Sequence, residues 1–107
     1  MDSKLRQRII DRRGTHCWCG CGAQGSDMHH ALIPRDVRFP QLDAEENLVL
    51  VNHTQHIHGL FDNAHWKRRF WSKLCREYTE EHMRKWVNSL PQKLAPRVTE
   101  LMNLIDN

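Results

Sequence analysis

Apolar residues recur at helical spacing near both ends of this chain and bunch into short runs in its middle. Leu5 and Ile9 lie one turn apart and predict a helix over residues 3–13, stopped by Gly14. Residues 15–26 show no apolar period, and their glycines and cysteines mark a loop or knuckle. Residues 28–33 read as a short strand ended by Pro34. Residues 35–46 follow that proline, contain Pro40 and lack periodicity, which predicts an exposed loop. The run Leu48-Val49-Leu50-Val51 is the clearest strand.

A helix is expected directly after it. Asn52 is a favourable N-cap, and Gln55 three residues on completes a capping-box pattern. His53 and His56 then share one face of the first turns, and Gly59 ends or bends the helix. Over residues 64–78, Trp66, Phe70, Trp71, Leu74, Cys75 and Tyr78 form an apolar stripe, with Lys67, Arg68 and Lys73 on the remaining faces. The stripe is core material first, because stacking on bases would require it to be exposed. Thr79 caps a further helix over residues 80–90, with Met83, Trp86, Val87 and Leu90 inward, and Pro91 breaks it. Val98, Leu101, Met102 and Ile105 predict a last amphipathic helix after Pro96. No internal repeat interrupts this order.

Length and charge narrow the picture. A chain of 107 residues suits one small domain. Its net charge of +3 is mild, but it is unevenly spread. Residues 1–14 carry Lys4, Arg6, Arg8, Arg12 and Arg13 against two aspartates, and residues 64–76 carry Lys67, Arg68, Arg69, Lys73 and Arg76 with no acid. Such segments suit a polyanion-facing side, although for basic runs taken alone a solvated helix face is the simpler reading. No apolar stretch reaches membrane-spanning length, and the N-terminus lacks a secretory core. Cys17, Cys19 and Cys21 alternate too closely for ordinary disulfides among themselves, so thiols or metal ligands are expected. A reducing, cytoplasmic setting is expected.

The chemistry concentrates in His29-His30, Asn47 and His56. Hydrolysing a phosphodiester requires a deprotonated water and relief of charge on the phosphoryl and leaving oxygens. An imidazole can take the proton near neutral pH, and a divalent cation can supply the rest. His30 as base, with His29 and His56 as metal ligands, is the minimum set. Asn47 can fix loop geometry near the base, since an amide both donates and accepts. Adjacent residues on a regular strand face opposite ways, so His29 and His30 can share a site only where the strand ends or bulges. His53 and His58 are weaker candidates, and Arg35 and Arg38 could clamp a phosphate from the loop. His65 and His82, on helices away from the motif, are expected only to pack or hydrogen-bond.

In order and spacing, residues 27–60 resemble the HNH endonucleases of the ββα-metal (His-Me finger) class, particularly standalone phage-type members. The resemblance puts His29 and His56 on the metal-ligand positions, His30 on the general base and Asn47 on the central asparagine. It implies an α+β fold: a small ββα-metal core (residues 27–62), an N-terminal helix and Cys/Gly knuckle (1–26), and C-terminal helices (63–107). It also implies metal-dependent cleavage of DNA to 5′-phosphate and 3′-hydroxyl ends, with low sequence specificity or nicking. Magnesium or manganese suits two protein ligands best, with zinc or nickel as alternatives. Many members hold a structural zinc with two Cys-x-x-Cys pairs; here the second pair is replaced by Asn52 and Gln55. A mixed zinc site using Cys17, Cys19 and Cys21 with His16 or His53 remains open. Some members, the colicin toxins among them, use a further histidine one turn after the closing one, where this chain has Leu60. The rivals are a non-catalytic zinc-containing nucleic-acid-binding module and an assembly protein that has lost activity. Oligomeric state is not legible.

Overall fold

The Asp2 carboxylate accepts the Lys4 amide at 2.9 Å and so opens α1 (Ser3–Arg13). Gly14, at φ 84°, closes the helix while its amide still donates to the Ile10 carbonyl at 2.7 Å. The computed structural model describes residues 2–107. Leu5 and Ile9 bury against Leu48, as their spacing predicts. Each such side chain stabilises the fold by about 1.5–3 kcal/mol. At the other end of α1, the Arg13 side chain is only 4% exposed. It donates to the Leu48 and Glu45 carbonyls, the Tyr78 hydroxyl and the Glu77 carboxylate, locking α1 onto both the sheet and the C-terminal helices.

The fold is mixed α+β, with five α-helices and one two-stranded antiparallel sheet among the described residues. Strand β1 (Asp27–His30) pairs with β2 (Leu48–Val51), His29 opposite Val49 and His30 opposite Leu48. β2 is buried along its whole length. Leu48 faces α1, while Val49 and Val51 enter the main core. The knuckle lies close on β2: a Cβ at Gly25 would fall 2.7 Å from the Leu50 side chain, so only glycine fits there.

β1 ends three residues earlier than the apolar run 28–33 suggests, and the cause is Asn47. Its backbone carbonyl accepts the Ala31 amide at 2.7 Å, and its side-chain Oδ1 accepts the Leu32 and Ile33 amides, both at 3.0 Å. Its Nδ2 donates to the Ile33 and Leu42 carbonyls at 2.9 and 3.1 Å. Residues 31–33 therefore hang from one residue, Leu32 and Ile33 from its side chain, instead of extending the ladder, although all three are buried as strand residues would be. The loop expected to be exposed is also partly ordered: Pro40–Leu42 makes a 3₁₀ turn that drives Leu42 into the core.

Helix α2 (His53–Ile57) follows β2 at once, with Asn52 as its N-cap. α3 (Ala64–Tyr78) has the predicted bounds and is capped by Asn63, whose side chain accepts the Trp66 amide. Thr79 closes α3 and opens α4 (Glu80–Asn88) in one residue, with φ at 101°, a left-handed conformation that is strained outside glycine. α4 stops short of Leu90, where the Ser89 hydroxyl turns back on the Trp86 carbonyl. α5 (Ala95–Asp106) follows a 3₁₀ turn and carries Pro96 in its first turn, where a missing amide costs nothing. Phe70, Leu74, Met83, Val87, Leu94 and Leu101 unite these helices under the sheet.

Replacing Asn47 with Ala would strand two buried amides and two buried carbonyls. We expect a loss of about 3–5 kcal/mol of unfolding free energy, read from urea denaturation.

Candidate active site

The end of β1, the loop after it, α2 and the start of α3 enclose a cleft of about 660 Å³. His29, His30, Arg35, Asp43, His56, Asp62 and Lys67 supply its polar lining. His29 and His30 can both reach it because β1 stops at His30. The irregularity that adjacent histidines require is thus supplied by the hydrogen bonds of Asn47.

The three central histidines stand in different circumstances. His29 is only 5% exposed, packed against Phe61 and Phe70, with its ring 5.2 Å edge-on from that of His56. Its Nε2 is buried without a hydrogen-bond partner. Burial, reinforced by the charge of His56, pushes its pKa down to about 4, so it is neutral near physiological pH. His56 is held through Nδ1 by Asp27 Oδ2 at 3.0 Å, and the same oxygen lies 2.7 Å from His53 Nδ1. Hydrogen bonds from His56 and His53 hold the Asp27 carboxyl below its ordinary range. With Nδ1–H given to that carboxylate, His56 keeps Nε2 as its free lone pair. His30 Nε2 lies 2.7 Å from Asp43 Oδ1, which leaves Nδ1 as the accepting nitrogen.

His29 and His56 therefore suit a metal ion: one carries an orphaned buried nitrogen, and the other is oriented by a carboxylate with a nitrogen to spare. Asn47 lies outside the cleft and acts on backbone groups alone. Arg35 lines the cleft, whereas Arg38 grips Asp36 through two nitrogens at 3.0 and 2.7 Å and sits elsewhere. His53 is exposed and shares Asp27; His58 is exposed at the end of α2, away from the cleft. Sequence reasoning missed Asp27, Asp43, Asp62 and Lys67. Asp27 had a signal, since it lies two residues before His29 on the same strand face. Asp43, in an aperiodic loop, had none.

A second cluster lies in the knuckle. Cys17, Cys19 and Cys21 hold their sulfurs within 4.8 Å of one another, the one such group of three metal-ligating side chains among the described residues. This group could bind a metal such as zinc. His16 is not part of it; its backbone bridges Gln24 and its ring lies beside Gly14. Instead Gln55 Oε1 faces all three thiols at 3.6, 3.9 and 3.6 Å, and the Asn52 amide donates to Cys17 Sγ at 3.3 Å. The expected capping box is thus half made: Asn52 accepts the Gln55 amide, but the Gln55 side chain turns to sulfur instead of back to Asn52. Burial pushes the Cys19 thiol up to about 12, while a hydrogen bond from the Ala23 backbone lowers that of exposed Cys21.

Comparison with protein-family models, curated proteins and solved structures found no match. No helix among the described residues is long and apolar enough to cross a membrane.

Two outcomes follow from these environments. The His29 pKa falls from 6.5 to about 4 on folding, so its contribution is complete above pH 6.5 and is lost as pH falls towards 4. In chelator, denaturation should show about 3 kcal/mol lost over that window, and His29→Gln should remove this part of the slope. Under the same metal-free conditions at neutral pH, iodoacetamide should alkylate Cys21 well before Cys19, as peptide mass spectrometry would show.

Proposed function

We propose that this chain is a metal-dependent DNA endonuclease that hydrolyses phosphodiester bonds. The observation that carries the reading is the unpartnered, buried Nε2 of His29 beside a His56 anchored by Asp27, in a cleft that also holds a His30–Asp43 pair. Packing alone gives no reason to bury an imidazole nitrogen unsatisfied. The order of two antiparallel strands and a short helix, with histidines on the first strand and the helix, supports a ββα-metal arrangement.

His29 and His56 would hold a divalent cation, magnesium or manganese by preference. When bound, the ion supplies positive charge to the phosphoryl group and the leaving 3′ oxygen. Asp27 keeps the His56 ring turned so that Nε2 faces the cleft. His30 takes a proton from water at Nδ1, and the Asp43 carboxylate stabilises the imidazolium that results. Arg35 and Lys67, cationic groups in the cleft wall, hold phosphate oxygens. Asp62 offers a further oxygen for the ion or its waters. None of these residues reads a base, so low sequence specificity follows.

The three thiols around Gln55 favour a second reading, a zinc-containing nucleic-acid-binding module without catalysis. Incubation of supercoiled plasmid with magnesium or manganese, or with excess chelator, separates the two. We expect nicking that chelator abolishes and that His30→Ala slows by about 10²–10⁴-fold. Asp43→Asn should slow it less and alter its pH profile, since Asp43 acts through His30. Cleavage indifferent to chelator or to His30→Ala would sink the mechanism, and bound zinc without cleavage would favour the second reading.

A further inference from the structure

We infer that the solvent-facing ridge of α3 is a docking surface for the backbone of duplex DNA, separable from the cleft. His65, Arg68, Arg69, Ser72, Lys73 and Arg76 line a shallow concavity of about 390 Å³. They fall at i, i+3, i+4, i+7, i+8 and i+11, a single stripe along one side of the helix. The stripe rises about 16 Å, roughly five nucleotide steps of one strand at about 3.4 Å each.

Charge accounting singles this ridge out. Most arginines elsewhere are neutralised: Arg8 by Glu45, Arg12 and Arg13 by Glu77, Arg38 and Arg97 by Asp36, and Arg84 by Glu80 and Asp106. Among the described residues, no cation of the ridge forms an ion pair with a carboxylate. Arg68 donates to the Leu104 carbonyl and Lys73 to the Trp18 carbonyl, so both are positioned without losing their charge. Arg69 lies over the Trp66 ring, its guanidinium 5.5 Å from the ring centre. Four cations without a carboxylate partner are thus gathered on one face whose lining contains no acid.

The ridge also lacks what a single strand would need. The aromatic residues of α3, Trp66, Phe70, Trp71 and Tyr78, are wholly or partly buried against the core, so no exposed stacking platform accompanies the cations. Cations without an exposed stacking platform beside them match a duplex backbone. Lys67, one residue before Arg68, lines the cleft, so the ridge begins beside the cleft's rim. The identity of the polymer rests on the nuclease reading; the location of the surface does not.

The test is fluorescence anisotropy of a labelled 20-base-pair DNA duplex, titrated in excess EDTA so that cleavage plays no part. We expect R69A/R76A to weaken binding roughly tenfold and to reduce the slope of log K against log salt by about two. K4Q/K93Q, which removes exposed cations elsewhere, should leave both unchanged. Circular dichroism and urea midpoints would confirm that R69A/R76A folds. The single strand of the same length should bind more weakly than the duplex. Unaltered duplex binding by folded R69A/R76A overturns the inference even if plasmid is cleaved. Equal losses in the two double variants, or equal R69A/R76A-sensitive binding to phosphatidylserine vesicles, overturn it as well. A protein that fails to nick plasmid yet loses duplex binding with R69A/R76A upholds the ridge and refutes only the nuclease reading.

Discussion

The side-chain amide of Asn47 makes four hydrogen bonds in a place water does not reach, and the geometry of the cleft depends on them. An amide has two donors and two acceptor lone pairs, and here every one is used. Capturing Leu32 and Ile33 cuts β1 off at His30, and the donation to Leu42 draws the far side of the loop inward. His29 and His30 are the last two ladder residues, so a cavity can take both imidazoles only by wrapping the end of the strand. Beyond His30 the chain swings aside to form that wall, and the same loop brings Asp43 to His30. A residue that touches no ligand thereby sets the distances on which any chemistry in the cleft depends.

Within that frame, carboxylates divide the histidines among distinct states. Asp27 fixes one nitrogen of His56, and Asp43 fixes one nitrogen of His30, so each ring presents its other nitrogen. His29 receives no such partner and is surrounded by Phe61 and Phe70, so burial is the dominant influence and keeps it neutral. Two orientations imposed by hydrogen bonds and one protonation state imposed by desolvation are more than packing requires. The same economy of charge extends over the surface, where most arginines of the N- and C-terminal segments are matched to carboxylates and those of α3 are not.

Where local rules dominate, the sequence was a sufficient guide. The bounds of α1 and α3 follow from apolar spacing, an aspartate or asparagine cap and a stop signal, all of them contained within the segment. The pairing of His53 with His56 on one face of α2 was legible for the same reason. What failed involved partners distant in the chain. β1 was read too long because its terminator, Asn47, lies beyond the loop. Asp43 and Lys67 enter the cleft only through tertiary placement. Arg38 looked free for a phosphate until Asp36 turned back on it, a contact two residues away that no periodicity encodes. His16 looked like a thiol partner by adjacency, yet its bridge to Gln24 carries it away from the sulfurs.

The knuckle ties these local and distant effects together. Asn52 and Gln55, at the start of α2, each meet the sulfurs of the knuckle by hydrogen bonding. Such contacts are individually weak, but they act on the first turn of a helix of only five residues, which has little stability of its own. Gln55 adjoins His56, so the residue that meets the sulfurs is followed at once by the imidazole that Asp27 holds. The thiols and the cleft thus share a single helical turn, fixed on one side by sulfur contacts and on the other by a carboxylate.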